Sequence, residues 1–243
     1  MPKKNFIYYL VCCFFLLNGC ANINSESGKH TSAPIARAPL DGIWAGEFDI
    51  DGRGPYDFTA IHLDGKVHAY SQRAKAMCIG VVKLDGENYT SKCTLFALDG
   101  GPFDLATITG KLKGQGEIVS HFVTLNGGDT GTLNLIYNPI YDFPSSLQMT
   151  MGNWLYTDRD NLTTEFVIVE EGAIAGYDSD GCKYLGNENV INPAFNAYQI
   201  KIEISRCGSV DGKYEGVSFI EDNQLSALIV NANYALLFIF ERK

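Results

Sequence analysis

Apolar and polar residues alternate in short runs along most of the chain, at residues 115–123, 130–137, 198–205, 225–230 and 234–240. A period of two sends successive side chains to opposite faces of a strand. Asp-Gly, Gly-Gly and Asn-Gly pairs recur between such runs at intervals of roughly 8 to 15 residues, the spacing of hairpins. Little room remains for a helix of ten residues or more. The pattern predicts an all-β protein.

Two segments open alike. Gly42-Ile43-Trp44-Ala45-Gly46 is echoed by Gly152-Asn153-Trp154-Leu155-Tyr156, and these hold the chain's two tryptophans. Downstream, Asp64-Gly65-Lys66-Val67-His68-Ala69-Tyr70 and Glu171-Gly172-Ala173-Ile174-Ala175-Gly176-Tyr177 share the pattern acid-Gly-x-aliphatic-x-small-Tyr. Each half then carries two cysteines and a further Asp-Gly, at Asp99-Gly100 and Asp211-Gly212. Preserved order with varying loop lengths is the mark of a tandem duplication. The expectation is two antiparallel β-meander modules of seven or eight strands, residues 41–145 and 150–243. Each would close as a small barrel or a two-layer sandwich, which limits exposed edges. The Gly-x-Trp at residues 42–44 resembles the opening of lipocalins, which implies a lipocalin-like barrel. Trp44 and Trp154 are expected to fill the cores.

The N-terminus has a different pattern. Lys3 and Lys4 precede an apolar run of about a dozen residues from Phe6 to Leu17, too short for a bilayer that needs roughly 20. It reads as the apolar region of a signal peptide, residues 1–19. Leu17-Asn18-Gly19-Cys20 resembles the lipobox of bacterial lipoproteins, which implies diacylation of the Cys20 thiol, cleavage before it and acylation of the new amino group. Several acyl chains at about 0.8 kcal/mol per buried methylene make a stable anchor. Ala21, rather than Asp, follows the cysteine; in the sorting pattern of enteric-type Gram-negative lipoproteins this implies the outer membrane. Residues 20–40 form the lipidated cysteine and a flexible tether rich in Ser, Asn, Ala and Pro, with an r.m.s. span of roughly 25 Å.

Charge narrows the partners. The chain has 19 Lys and Arg against 28 Asp and Glu, and removal of residues 1–19 takes two lysines and no acid, leaving 17 against 28. An acidic body without a basic stripe has no footprint for nucleic acid and no electrostatic attraction to anionic lipid. The expected contact with a membrane is through the lipid anchor alone.

Four cysteines remain beyond Cys20 and the signal region, which suits an oxidising compartment. They permit three pairings. One pair per half, Cys78 with Cys93 and Cys182 with Cys207, is the economical choice. No Cys-x-x-Cys or Cys-x-x-His spacing favours zinc, so no metal or other cofactor is expected. Asp49/Asp51, Asp158/Asp160 and Asp178/Asp180 could each offer oxygens to Ca²⁺, but no full EF-hand loop follows, and Asp before Gly or Asn is ordinary turn chemistry. His62 and His68 flank Asp64-Gly65. A two-residue turn would put them on opposite faces; an odd loop would put both on one face and align Ile61 with Val67. Apolar matching favours the odd loop, with both imidazoles facing solvent.

For catalysis, Gly-x-Ser-x-Gly, His-Glu-x-x-His, Ser-x-x-Lys and a phosphate loop are all missing. The expectation is no catalytic residues and a noncatalytic binding lipoprotein of the outer membrane, engaging a protein or glycan ligand. A periplasmic inhibitor or immunity protein that blocks a cell-wall hydrolase or toxin is the alternative. An exposed acidic loop near Asp99–Asp104 or Asp178–Asp180 would favour it, whereas an apolar barrel cavity would favour a lipocalin-like carrier. Anchor, tether and duplicated β domains also look similar to the tandem-barrel surface lipoproteins that bind host proteins. An accessory of an envelope machine is a further reading.

Overall fold

The computed structural model describes residues 37–158 and 161–243. Residues 1–36, which include the segment read as a signal peptide, Cys20 and most of the stretch read as a tether, lie outside them. The first eight strands are β1 (Gly42–Ile50), β2 (Tyr56–Leu63), β3 (Lys66–Ser71), β4 (Ala76–Asp85), β5 (Asn88–Ala97), β6 (Pro102–Lys113), β7 (Glu117–Thr124) and β8 (Thr130–Asn138). The second eight are β9 (Gly152–Thr157), β10 (Thr163–Ile168), β11 (Ala173–Asp178), β12 (Lys183–Val190), β13 (Tyr198–Ser205), β14 (Gly212–Glu221), β15 (Gln224–Val230) and β16 (Ala235–Arg242). Each set runs up and down with every strand beside the next, and each closes on itself. Closure in the first is the β8–β1 ladder, with Leu135 opposite Gly46; in the second it is β16–β9, with Arg242 opposite Trp154. Of barrel and sandwich, the chain forms two barrels, which leaves no open edge along either sheet. A 3-10 turn at Pro139–Asp142 and one helical turn at Leu147–Thr150 connect them.

The duplication is visible in register. Trp44 faces Ala60 as Trp154 faces Phe166; both tryptophans are fully buried. Each indole N–H donates to a carbonyl four residues earlier, Leu40 at 3.0 Å and Thr150 at 2.7 Å. Following the ladders outward from the tryptophans, Gly80 and Gly186 fall at the same position. A Cβ on either would lie 2.0 Å from a carbonyl oxygen of the next strand, so only glycine fits this close approach.

Among the described residues the disulfides are Cys78–Cys93 and Cys182–Cys207, one in each half. They do not occupy equivalent positions. In register, Cys78 corresponds to Tyr184 and Cys93 to Ile202. The first bridge links β4 to β5 within the barrel, and the second joins the chain just before β12 to the chain just after β13. Both tie the same pair of neighbouring strands, at different heights.

Among the described residues, three apolar clusters organise the packing. One fills each barrel, around Trp44, Tyr89 and Ile118 in the first and around Trp154, Phe166 and Phe240 in the second. The third lies between the barrels, where Ile61, Tyr70, Met77 and Phe96 meet Val217, Phe219, Leu228 and Leu237. Strands that supply this contact, among them β3, β14 and β15, are buried on both faces along part of their length, one toward a barrel interior and one toward the other barrel.

That two-sided burial overturns the expectation for the histidines. Asp64 and Gly65 form a two-residue turn with φ of 50° and 71°, and the register pairs His62 with Val67 and Ile61 with His68. Positive φ at both central positions suits Asp-Gly and matches the twist of the flanking strands. Matching Ile61 to Val67 misled because Ile61 is buried too, against the second barrel. Neither histidine faces solvent. His62 is fully buried inside the first barrel, and His68 is 9% exposed on the opposite face.

Candidate functional site: the open mouth of the first barrel

One end of the first barrel is closed. Leu40, Trp44 and Tyr89 pack there, and the Trp44 and His62 rings lie 5.9 Å apart. The Tyr89 hydroxyl reaches His62 Nε2 at 3.4 Å. Burial holds the His62 imidazole neutral, pushing its pKa down to about 3.

The other end opens between the loops that follow β1, β3, β5 and β7. A cavity of about 190 Å³ sits there, lined by Phe48, Phe58, Cys78, Ala106, Phe122 and Leu133 among others. Phe48 is the hub of its aromatic wall: it stacks on Tyr56 at 5.2 Å and meets Phe58 and Phe122 edge-on at 5.6 and 6.1 Å. Phe103, 57% exposed, stands at the rim. A preformed concavity of apolar side chains with few polar groups has the character of a small-ligand site.

Carboxylates hold the rim in shape. Asp104 accepts backbone N–H bonds from Leu105 at 2.7 Å and from Asn126 and Gly127 at 2.9 Å, tying the strand after one loop to the next loop. The Asn126 and Gly127 amides hold its carboxyl below the usual range. Asp57 accepts from the Gln72 and Arg73 amides, and Arg53 pairs with Asp129 at 2.8 Å.

Among the described residues, large side chains take the equivalent positions in the second barrel. Stepping through the ladders from Trp44 and Trp154, Cys78 corresponds to Tyr184, Ala106 to Tyr214 and Leu133 to Phe238. Deeper in, Ala60 corresponds to Phe166 and Leu135 to Phe240. The large rings interlock, Phe166 with Phe240 at 4.4 Å, with Tyr184 at 5.3 Å and with Phe238 at 5.9 Å. Their hydroxyls are used: Tyr184 donates to Asp178 at 2.9 Å and Tyr214 to the Val210 carbonyl at 2.8 Å. The first barrel puts its own rings elsewhere, with Phe48, Phe58 and Phe122 where the second has Asp158, Thr164 and Ile229. Small residues at the centre and rings near the rim leave the space that the second barrel occupies.

The candidate acidic pairs are parts of turns. Asp49 accepts the Gly52 and Gly54 amides, and Asp158 accepts the Leu162 amide; Asp160 lies outside the described residues. Asp178 Oδ1 accepts from the Asp180 and Cys182 amides. Asp178, Cys182 and Cys207 approach one another within 4.8 Å, but the two sulfurs are bonded to each other and offer no thiolate to a metal. Asp99 docks on the second barrel, accepting the Leu237 amide at 3.1 Å. No protein-family model matches the chain, and a search of curated proteins returned no match.

Sequence reasoning reached Cys78 only as a disulfide partner and Asp104 only as part of an acidic loop, and did not identify the mouth as a site. Alanine and cysteine at residues 106 and 78 carry no signal by themselves. Their smallness becomes informative only when the two halves are aligned strand by strand, with Gly80 on Gly186 as a second anchor beside the tryptophans.

Proposed function

We propose that this protein is a noncatalytic, lipid-anchored binding protein of a Gram-negative outer membrane, with the first barrel as its binding module and the second as its filled structural partner. The observation that carries the reading is the contrast between two copies of one barrel, one with an apolar mouth of about 190 Å³ and one with that space taken by its own rings. The lipobox-like Leu17-Asn18-Gly19-Cys20 supports the anchor, and the acidic body favours attachment by lipid rather than by charge. A protein or glycan partner would present a group to the mouth while its remaining surface meets the loops around it.

Two arms of one experiment test this. Cells expressing the full chain should incorporate labelled palmitate at Cys20, and Cys20→Ser should remain unlabelled. The unlipidated chain from Ala21, used as bait in envelope extracts, should retain a partner that Ala106→Phe bait does not. An unlabelled wild-type chain, or a partner held equally by both baits, would contradict the reading.

A further inference from the structure

Resting on the first barrel as the binding module, we propose that its mouth takes a single phenyl or phenol ring, supplied by a small aromatic compound or by a partner's side chain. The second barrel supplies the argument. Where the first has Cys78, Ala106 and Leu133 lining open space, the second has the rings of Tyr184, Tyr214 and Phe238. The duplicated scaffold has accommodated rings at this height once already, from within.

Size agrees. An apolar cavity of about 150 Å³ accepts benzene, and about 190 Å³ therefore holds one ring with a short substituent. The walls agree as well: the Phe48, Phe58 and Phe122 rings line the space and offer an incoming ring edge and face contacts. The rim carboxylates are engaged by backbone amides and by Arg53, so the mouth presents apolar surface to an uncharged guest.

A polar handle is also placed. In the second barrel the Tyr184 hydroxyl ends on Asp178. The position equivalent to Asp178 in the first barrel is Ser71, which is buried and lines the cavity. Ser71 Oγ donates to Asp57 at 3.3 Å and accepts the Ala74 amide at 3.0 Å. A hydroxyl oxygen has two lone pairs, so one is left to accept from a ring hydroxyl. A phenol should therefore bind better than the same ring without its hydroxyl.

The test uses the unlipidated chain from Ala21 and three probes, p-cresol, toluene and N-acetyl-tyrosinamide, titrated by calorimetry. Saturable p-cresol binding with toluene several-fold weaker is expected. Ala106→Phe and Leu133→Phe, each placing a ring where the second barrel has one, should each weaken p-cresol at least tenfold with the circular dichroism unchanged. Ser71→Ala should bring p-cresol down to the level of toluene. N-acetyl-tyrosinamide binding beside p-cresol assigns the ring to a partner's side chain, and p-cresol alone assigns it to a free compound; either supports the proposal. No saturable binding of any probe overturns it, as does unchanged affinity in both filled variants. If neither filled variant folds, Ser71→Ala decides, and an unaltered preference for p-cresol overturns the assignment. Failure to label Cys20 would strike at the anchored-binder reading and leave ring binding standing.

Discussion

Asp99 of the first barrel accepts the backbone N–H of Leu237 of the second at 3.1 Å, and beside it the Ala235 amide donates to the Gly100 carbonyl at 3.0 Å. These bonds border an apolar contact to which both barrels contribute buried side chains. Each barrel closes its own hydrogen-bonded ladder, so residues 41–145 and 150–243 expressed separately should each give β-rich circular dichroism and a cooperative transition. Each fragment would expose its share of the contact, and the two should associate when mixed. Sedimentation of the mixture checks this; fragments that fold and stay apart would contradict a stable contact.

Leu228 tests the same surface in the intact chain. It is fully buried on the outer face of β15. Leu228→Ala should cost about 2–5 kcal/mol, read as a lower urea midpoint.

Acid should weaken the protein through its histidines. Burial first, and for His68 also the charge of Lys66, lowers the folded pKa to about 3 for His62 and about 4 for His68, from 6.5. The unfolded chain therefore binds more protons as pH falls below 6.5, and stability is lost across the interval down to the folded values. At pH 5 each imidazole accounts for about 2 kcal/mol. His62→Ile installs what the second barrel has at Ile168. The stability difference between wild type and this variant should change by about 2 kcal/mol between pH 7 and pH 5 in urea melts, in favour of the variant at the lower pH.

Glu188 works with the opposite sign. It lies inside the second barrel, where the first has Val82, and it accepts from the Ser218 hydroxyl while its other oxygen has no hydrogen-bond partner among the described residues. Burial pushes its carboxyl above 4.5 despite the hydrogen bond from Ser218. Its contribution is fully present below 4.5 and lost as pH rises through the raised value. Glu188→Gln should accordingly gain Tm relative to wild type as pH rises from 4 to 8. A constant Tm difference would contradict a neutral buried carboxyl.

Each disulfide closes a short loop, of 15 and 25 residues in sequence separation. Replacing either pair by serine should cost roughly 3 kcal/mol in the chain-entropy model, measured by denaturant titration.

Much of the fold was legible because it rests on local signals. The two Gly-x-Trp openings, the Asp-Gly turns and the alternating runs define the strands, and one cysteine pair per half reads correctly. Barrel against sandwich was not legible, because closure depends on β1 meeting β8 about 90 residues away in sequence. The histidines were misread for a related reason. A strand buried on both faces loses the alternation that assigns sides, so Ile61 and His62 look alike from sequence alone. The mouth was missed because a cavity is made by small side chains, and an alanine at residue 106 acquires meaning only opposite Tyr214 in the other copy.

The most direct measurement of the central claim, that the first barrel's mouth is the binding site, is a methyl-resolved NMR titration of the intact unlipidated chain with p-cresol. Saturable shifts are expected at Ala106 and Leu133, with Leu225, Ala227 and Leu236 inside the second barrel unmoved. Shifts led by those second-barrel methyls, or by Leu228 and Leu237 at the contact between barrels, would contradict it.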